Sequence, residues 1–194
     1  MTPSANPTFE LYCGSMFSGK SSRVILEAQN HVYRGRRILA YKPRIDDRFS
    51  KNEITTHSGM VSFPAEQIDR GEDLGKHLLA LEDVDPKFTT ILVDEVFMIE
   101  GVSNVLIWLY RNGFSILASS LDMGSHMEPF PEVTKIMPWA TRIEKCTAVC
   151  HVCKAPANFT YRKPEAASDF ILVGGVETYE ARCANCHPGF SKVS

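Results

Sequence analysis

Eight residues near the amino terminus constrain this chain more than any others. Gly14-Ser-Met-Phe-Ser-Gly-Lys-Ser21 places Gly14, Gly19, Lys20 and Ser21 at the spacing G-x-x-x-x-G-K-[ST]. The preceding Phe9-Glu-Leu-Tyr-Cys13 reads as a short buried strand, and Val24, Ile25, Ala28 and Val32 recur at helical intervals up to Gly35. Between a strand and a helix, such glycines let the backbone curl so that successive N–H groups converge on phosphate oxygens, and the helix adds its positive end. Lys20 then reaches the outer phosphates and the Ser21 hydroxyl faces Mg²⁺. The plainer alternative is a glycine-rich structural turn.

The remaining chain supports the first reading. Arg37–Tyr41 reads as a second strand, and the charged run from Arg44 to Gly59 as a surface loop, where Asp46, Arg48 and His57 are either site residues or solvated charges. A short extended piece is expected at Val61–Pro64 and an amphipathic helix at Glu72–Leu81 through Leu74, Leu78, Leu79 and Leu81. Thr89-Thr-Ile-Leu-Val-Asp-Glu95 is an apolar strand capped by an acidic pair, as a Walker B strand is. One carboxylate can serve a metal and the other can take a proton from an acceptor hydroxyl. A helix over Val102–Gly113, a strand over Phe114–Ala118, a short helix over Val133–Ala140 and a strand over Thr141–Val149 follow. Strand–helix alternation predicts an α/β fold with a mainly parallel sheet.

The net charge of −2 over 194 residues gives no global field to recruit nucleic acid or an anionic membrane. The longest apolar runs are too short to span a bilayer, and Met1–Pro7 lacks the regions of a secretory signal, so a cytoplasmic protein is expected. Six cysteines then point to metal rather than disulfides. Cys150-His-Val-Cys153 and Cys183-Ala-Asn-Cys186 supply four thiolates suited to a closed tetrahedral Zn²⁺ site; a redox dithiol or free thiols are the alternatives. Cys13 and Cys146 read as small core residues, and His151 and His187 as exposed flanks rather than ligands. Between the knuckles, Asn158–Arg162 and Asp169–Val173 read as strands, and Gly174-Gly175 as a turn or a point of close backbone approach.

Taken together the chain resembles the type II thymidine kinase family. The resemblance rests on Gly14–Ser21, Lys42-Pro-x-x-Asp46-x-Arg48, Thr56-His57, Asp94-Glu95, Leu121-Asp122 with Pro129-Phe130, Lys145-Cys-Thr-Ala-Val-Cys-x-x-Cys153, and Val173-Gly-Gly175 with Tyr179 before Cys183-x-x-Cys186. It implies a P-loop, RecA-like kinase domain over 1–147, with helices on both faces of the sheet, and a zinc-ribbon and lasso domain over 148–194 that closes over the nucleoside. The implied reaction moves the γ-phosphoryl of ATP to the 5′-hydroxyl of thymidine or a related deoxynucleoside. By the same resemblance Glu95 is the catalytic base and Arg48 lies near the reacting phosphate. ATP and Mg²⁺ fall to Gly14, Ser15, Met16, Phe17, Ser18, Gly19, Lys20, Ser21, Ser22 and Asp94. The nucleoside falls to Met16, Asp46, Glu95, Met98, Leu121, Ser125, Phe130, Thr160, Val173, Gly174 and Tyr179, and Zn²⁺ to the four knuckle cysteines. A homo-oligomer, tetramer or dimer, is also implied.

Two stretches depart from the family pattern. Asp94-Glu-Val-Phe97-Met98 stands where Asp-Glu-x-Gln-Phe is usual, and Gly124-Ser125-His126 where a Phe follows Leu-Asp. Met98 and Ser125 thus replace two pocket aromatics. Stacking on such a face is worth about 1–3 kcal/mol per base, so a shift in base selectivity is expected. Reading the chain instead as a P-loop ATPase with a nucleic-acid-binding zinc ribbon would require a basic stripe that it lacks.

Overall fold

The computed structural model describes residues 6–46, 50–56, 59–164 and 173–190. Its strands and helices run β1 (Phe9–Gly14), α1 (Lys20–Tyr33), β2 (Arg37–Pro43), β3 (Glu53–Thr55), β4 (Ser62–Pro64), β5 (Glu66–Ile68), α2 (Gly71–Ala80), β6 (Thr89–Val93), α3 (Val102–Arg111), β7 (Ser115–Ser120), α4 (Pro131–Ile136), β8 (Arg142–Cys146), β9 (Ala148–Val149), β10 (Pro156–Ala157), β11 (Phe159–Arg162) and β12 (Tyr179–Arg182). Six strands form one sheet in the order β5-β2-β6-β7-β1-β8, with every pairing parallel.

Alternation along the strands divides the core between two faces. Phe9, Leu11 and Cys13 of β1 pack with Leu74, Leu106, Leu109 and Val133 from α2, α3 and α4. Tyr12 of the same strand packs with Val24, Ile25 and Ala28 of α1, beside Leu92 and Leu117. Because helices cover both faces, β1, β6 and β7 are buried at every residue, as parallel strands in such folds are. Cys13 and Cys146 lie in this core.

Several expectations need correction. The run from Arg44 to Gly59 is not all loop, since β3 within it pairs antiparallel with β4, Ile54↔Phe63. The edge strand β5, pairing with Tyr41–Pro43, carried too short a pattern to be foreseen. On α1 the buried residue of the last turn is His31, while Val32 is 48% exposed; on α2 Leu74 is buried and Leu79 is 88% exposed. The expected strand over Thr141–Val149 breaks after Cys146, and β9 turns away to pair with β10. The expected strand at Asp169–Val173 lies outside the described residues save Val173, which is irregular. Among the described residues no helix is long and apolar enough to cross a membrane.

Candidate active site

The phosphate loop joins the top of β1 to α1. Gly14 has φ +141°, and a Cβ there would lie 2.3 Å from the Cys146 carbonyl oxygen, so the close approach of β1 to β8 excludes any side chain. Gly14→Ala is expected to cost about 3 kcal/mol or more, a Tm lower by roughly 6–12 °C in a thermal melt. Gly19, in the left-handed region at φ 78°, precedes α1, and no side chain caps that helix. The first-turn N–H groups are therefore turned toward the site for an anion to meet. Lys20 Nζ and Ser18 Oγ both donate to the Ser15 carbonyl at 2.8 Å, which holds the loop curled.

The acidic pair follows β6, in the middle of the sheet. Ser21 Oγ lies 3.3 Å from Asp94 Oδ2, and the Ser119 hydroxyl at the end of β7 donates to Asp94 Oδ1. Burial, then the neighbouring Glu95 carboxylate, push the Asp94 carboxyl up to about 6 against the pull of Ser119. An acid so desolvated beside Ser21 and Lys20 suits a position where a cation neutralises it. Glu95 takes φ 49° and ψ 48°, left-handed values uncommon for a residue with a Cβ, as the chain leaves the strand.

Two cavities flank this turn. The first, about 1130 Å³ and partly open to solvent, is lined by Phe17, Gly19, Lys20, Ser21, Ser22 and Asp94, with Lys42, Asp46 and Ile54–Thr56 opposite. The second, about 460 Å³ with its solvent-open mouth included, is lined by Met98, Ser125, Phe130, Thr160, Val173, Gly174 and Tyr179, together with Phe97, Gly124 and Arg162. Met16, Glu95 and Leu121 belong to both. Asp46 lies on the phosphate side, apart from the other residues expected around a nucleoside. Gly14, Ser15 and Ser18 shape the loop without lining either cavity, and Arg48 and His57 lie outside the described residues.

Sequence reasoning missed Phe97, Gly124 and Arg162 on one side and Lys42, Ile54, Thr55 and Thr56 on the other. Arg162 had a signal, two residues beyond Thr160 on one strand and so on the same face. Phe97, in sequence a displaced aromatic, stays in the wall of the fold, its ring centroid 4.4 Å from that of Phe130. Lys42 is buried and its Nζ donates to the Ser50 and Glu53 carbonyls at 2.6 and 3.3 Å, tying down the segment before β3.

The cysteine cluster belongs to a module that is hydrogen-bonded to the phosphate loop. The four Sγ atoms of Cys150, Cys153, Cys183 and Cys186 lie within 4.8 Å of one another, and none is in a disulfide. Tetrahedral zinc with 2.3 Å bonds asks for sulfurs about 3.8 Å apart, so the cluster fits a structural Zn²⁺. Burial pushes the Cys150 thiol up, but the N–H groups of Cys153, Cys183 and Val152 outweigh it and hold the thiol down at about 6. Two hydrogen bonds link this module to the phosphate loop: Met16 N–H to Thr160 Oγ1 at 3.1 Å and Ser15 Oγ to the Ala157 carbonyl at 3.4 Å. His151 is exposed as expected; His187 is not. His187 is 4% exposed among Phe159, Tyr161 and Phe190. Its Nδ1 accepts from Gly189 N–H, which leaves Nε2 to donate to the Thr160 carbonyl at 3.2 Å.

A phosphate loop at the first strand–helix turn, and an acidic pair facing it from β6 across a cleft, define a P-loop α/β protein. The sequence-family model described as "Thymidine kinase" matches residues 7–187, and the chain belongs to the thymidine kinase family. Membership of that family supports an ATP- and Mg²⁺-dependent deoxynucleoside kinase activity. Among solved structures it is similar to the cytoplasmic domain of the Thermomonospora curvata Type VII secretion ATPase EccC. That similarity has 12% identity and a TM-score of 0.44, over 92% of this chain and 24% of that one. This chain thus spans about a quarter of the EccC chain.

Proposed function

We propose that this chain transfers the γ-phosphoryl of ATP to the 5′-hydroxyl of thymidine or a closely related deoxynucleoside. The observation that carries the reading is the position of Glu95 on the wall common to the phosphate cavity and the smaller, largely apolar cavity. A carboxylate there can take the proton of an acceptor hydroxyl held on one side while the triphosphate lies on the other. Lys20 and the α1 amides neutralise and orient the phosphates, and Ser21 with Asp94 would hold the Mg²⁺ that supplies further charge neutralisation when bound. Arg48 is assigned near the reacting phosphate on the family resemblance. Met16, Met98, Leu121, Phe130 and Tyr179 enclose the base, with backbone groups near Val173 and Gly174 to hydrogen-bond its edge.

We read residues 1–147 as the kinase unit and 148–194 as a zinc ribbon and lasso closing over the nucleoside, in a cytoplasmic homo-oligomer. Base selectivity is shifted, because Met98 and Ser125 stand where aromatics are usual, although Phe97 on Phe130 returns one aromatic surface to the cavity. Transfer of labelled phosphate from ATP–Mg²⁺ to a panel of deoxynucleosides tests both parts. Phosphorylation of a deoxynucleoside is the expected result, with kcat/KM for thymidine exceeding the next nucleoside by less than about 100-fold, because losing about 1–3 kcal/mol of stacking removes roughly 5- to 150-fold of thymidine's advantage. Sharp thymidine selectivity would remove the shift; no product from any nucleoside, with DNA-stimulated ATP hydrolysis, would remove the kinase reading.

A further inference from the structure

At the end of the β1–α1 unit remote from the phosphate loop, three side chains converge on one point. Glu10 is the second residue of β1, and Glu27 and His31 lie one turn apart on α1, at the i,i+4 spacing that puts two ligands on one helix face. His31 is 3% exposed, and its Nε2 stands 3.8 Å from Glu10 Oε1 and 3.7 Å from Glu27 Oε1. Both contacts are longer than a closed charge-assisted N–H···O bond of about 2.7–2.9 Å. The ligand atoms of the three residues lie within 4.8 Å of one another. A point equidistant from them is about 2.0–2.4 Å from each, close to the lengths of metal–imidazole and metal–carboxylate bonds.

Each group is held by a contact on its outer atom, and the inward oxygen of Glu27 is also reached by Arg34. Tyr12 OH donates to Glu10 Oε2 and Arg142 Nη1 lies against the same oxygen, both at 3.1 Å. Asn30 Nδ2 donates to Glu27 Oε2 at 3.0 Å, and Arg34 Nη1 reaches Glu27 Oε1 from the rim at 3.3 Å. Thr90 Oγ1 lies 2.9 Å from His31 Nδ1 and also receives Arg36 Nε at 2.7 Å. With Nδ1–H donating to Thr90, Nε2 presents its lone pair to the space between the carboxylates. Outer partners that orient a histidine and its companion carboxylates are the usual second layer of a metal site.

We propose that Glu10, Glu27 and His31 form a site for a divalent transition-metal ion, which ties the carboxyl-terminal half of α1 to β1. It is separate from the four cysteines and, at about 16 Å along α1 from Lys20, from the phosphate loop. The ion offsets two carboxylates that α1 and β1 bring together, and water completes its coordination.

The test is a Co²⁺ titration of the protein with its cysteine site already filled by Zn²⁺, followed by calorimetry and visible absorption. One further equivalent of Co²⁺ per chain is expected, with the weak bands of nitrogen and oxygen ligands and without intense sulfur-to-cobalt charge transfer. His31→Gln and Glu27→Gln should each weaken binding at least about 10-fold, and Tyr12→Phe, which releases one outer contact, by less. Far-ultraviolet circular dichroism identifies the folded variants; if the two ligand variants do not fold, the wild-type stoichiometry beside Tyr12→Phe decides. The proposal is overturned if the wild type takes up no further equivalent, since the three residues then pair only with one another and with Arg34 and Arg142. Uptake unaltered by the variants overturns it too, because the ion then lodges elsewhere, as at Asp94.

Discussion

Glu95→Gln is expected to lower kcat for phosphoryl transfer by about 10²–10⁴-fold while ATP binding changes little. The substitution keeps the volume and the hydrogen-bonding reach of the side chain, and Gln meets the left-handed backbone at φ 49° no worse than Glu does. What it removes is the capacity to accept a proton between the two cavities. Pre-steady-state transfer on saturated enzyme separates this from a packing defect, which would raise KM instead. Near-normal kcat in the variant would transfer the role of base to another group, with Asp94 the adjacent carboxylate.

The second large effect is expected at Cys150→Ser. Around the four cysteines the apolar core consists of little more than Ala148, Cys150, Ala157 and Ala181, with Phe17 packed against it. So small a core cannot hold the module, whereas structural zinc in comparably small peptides contributes about 10–16 kcal/mol of folding free energy. Losing one thiolate should therefore release β9 to β12, and with them the Thr160 hydroxyl that accepts from Met16 N–H. Expected are the loss of the zinc bound by the cysteines, rapid hydrogen exchange at Ala157–Arg162 with the six-stranded sheet still protected, and a rise of at least about 10-fold in nucleoside KM. Retained zinc with unchanged KM would show that three thiolates suffice and that the module stands without the fourth.

The phosphate loop, the acidic pair and the cysteine knuckles were readable because each chemistry demands particular residue types at fixed local spacing. The same holds for the alternation of β1, α1, β6 and β7, whose apolar periods are long enough to count. The edge strand β5 and strand β3 were not readable, since three residues carry no period and their partners come from elsewhere in the chain; β4 matches the extended piece expected at Val61–Pro64, but its pairing with β3 left no local signal. His187 misled for a related reason. Next to a cysteine knuckle it looks like a solvent-exposed flank, but Phe159, Tyr161 and Phe190 close around it from other parts of the module. Arg162 and Phe97 reach the smaller cavity through strand alternation and one helical turn, both geometric facts that motif matching passes over. Glu10, Glu27 and His31 left no trace at all as a group, because the pairing of a strand residue with a helix face is set by packing.

The place of β1 in the sheet bears on how the protein is made. Of the sheet's six strands this one is synthesised before the other five, yet its neighbours are β7 and β8, with Phe9 beside Ile116 and Glu10 beside Arg142. Synthesis must therefore pass residue 146 before both edges of β1 are paired, and Gly14 meets its close neighbour, the Cys146 carbonyl, only then. Until that point β2 and β6 can join while β1 waits with unpaired backbone and an apolar face, the condition in which nascent chains aggregate. The phosphate loop, encoded ahead of five of the sheet's six strands, becomes a rigid anion cradle only once β8 has been made, so a product truncated before residue 146 retains the motif without the geometry that makes it bind.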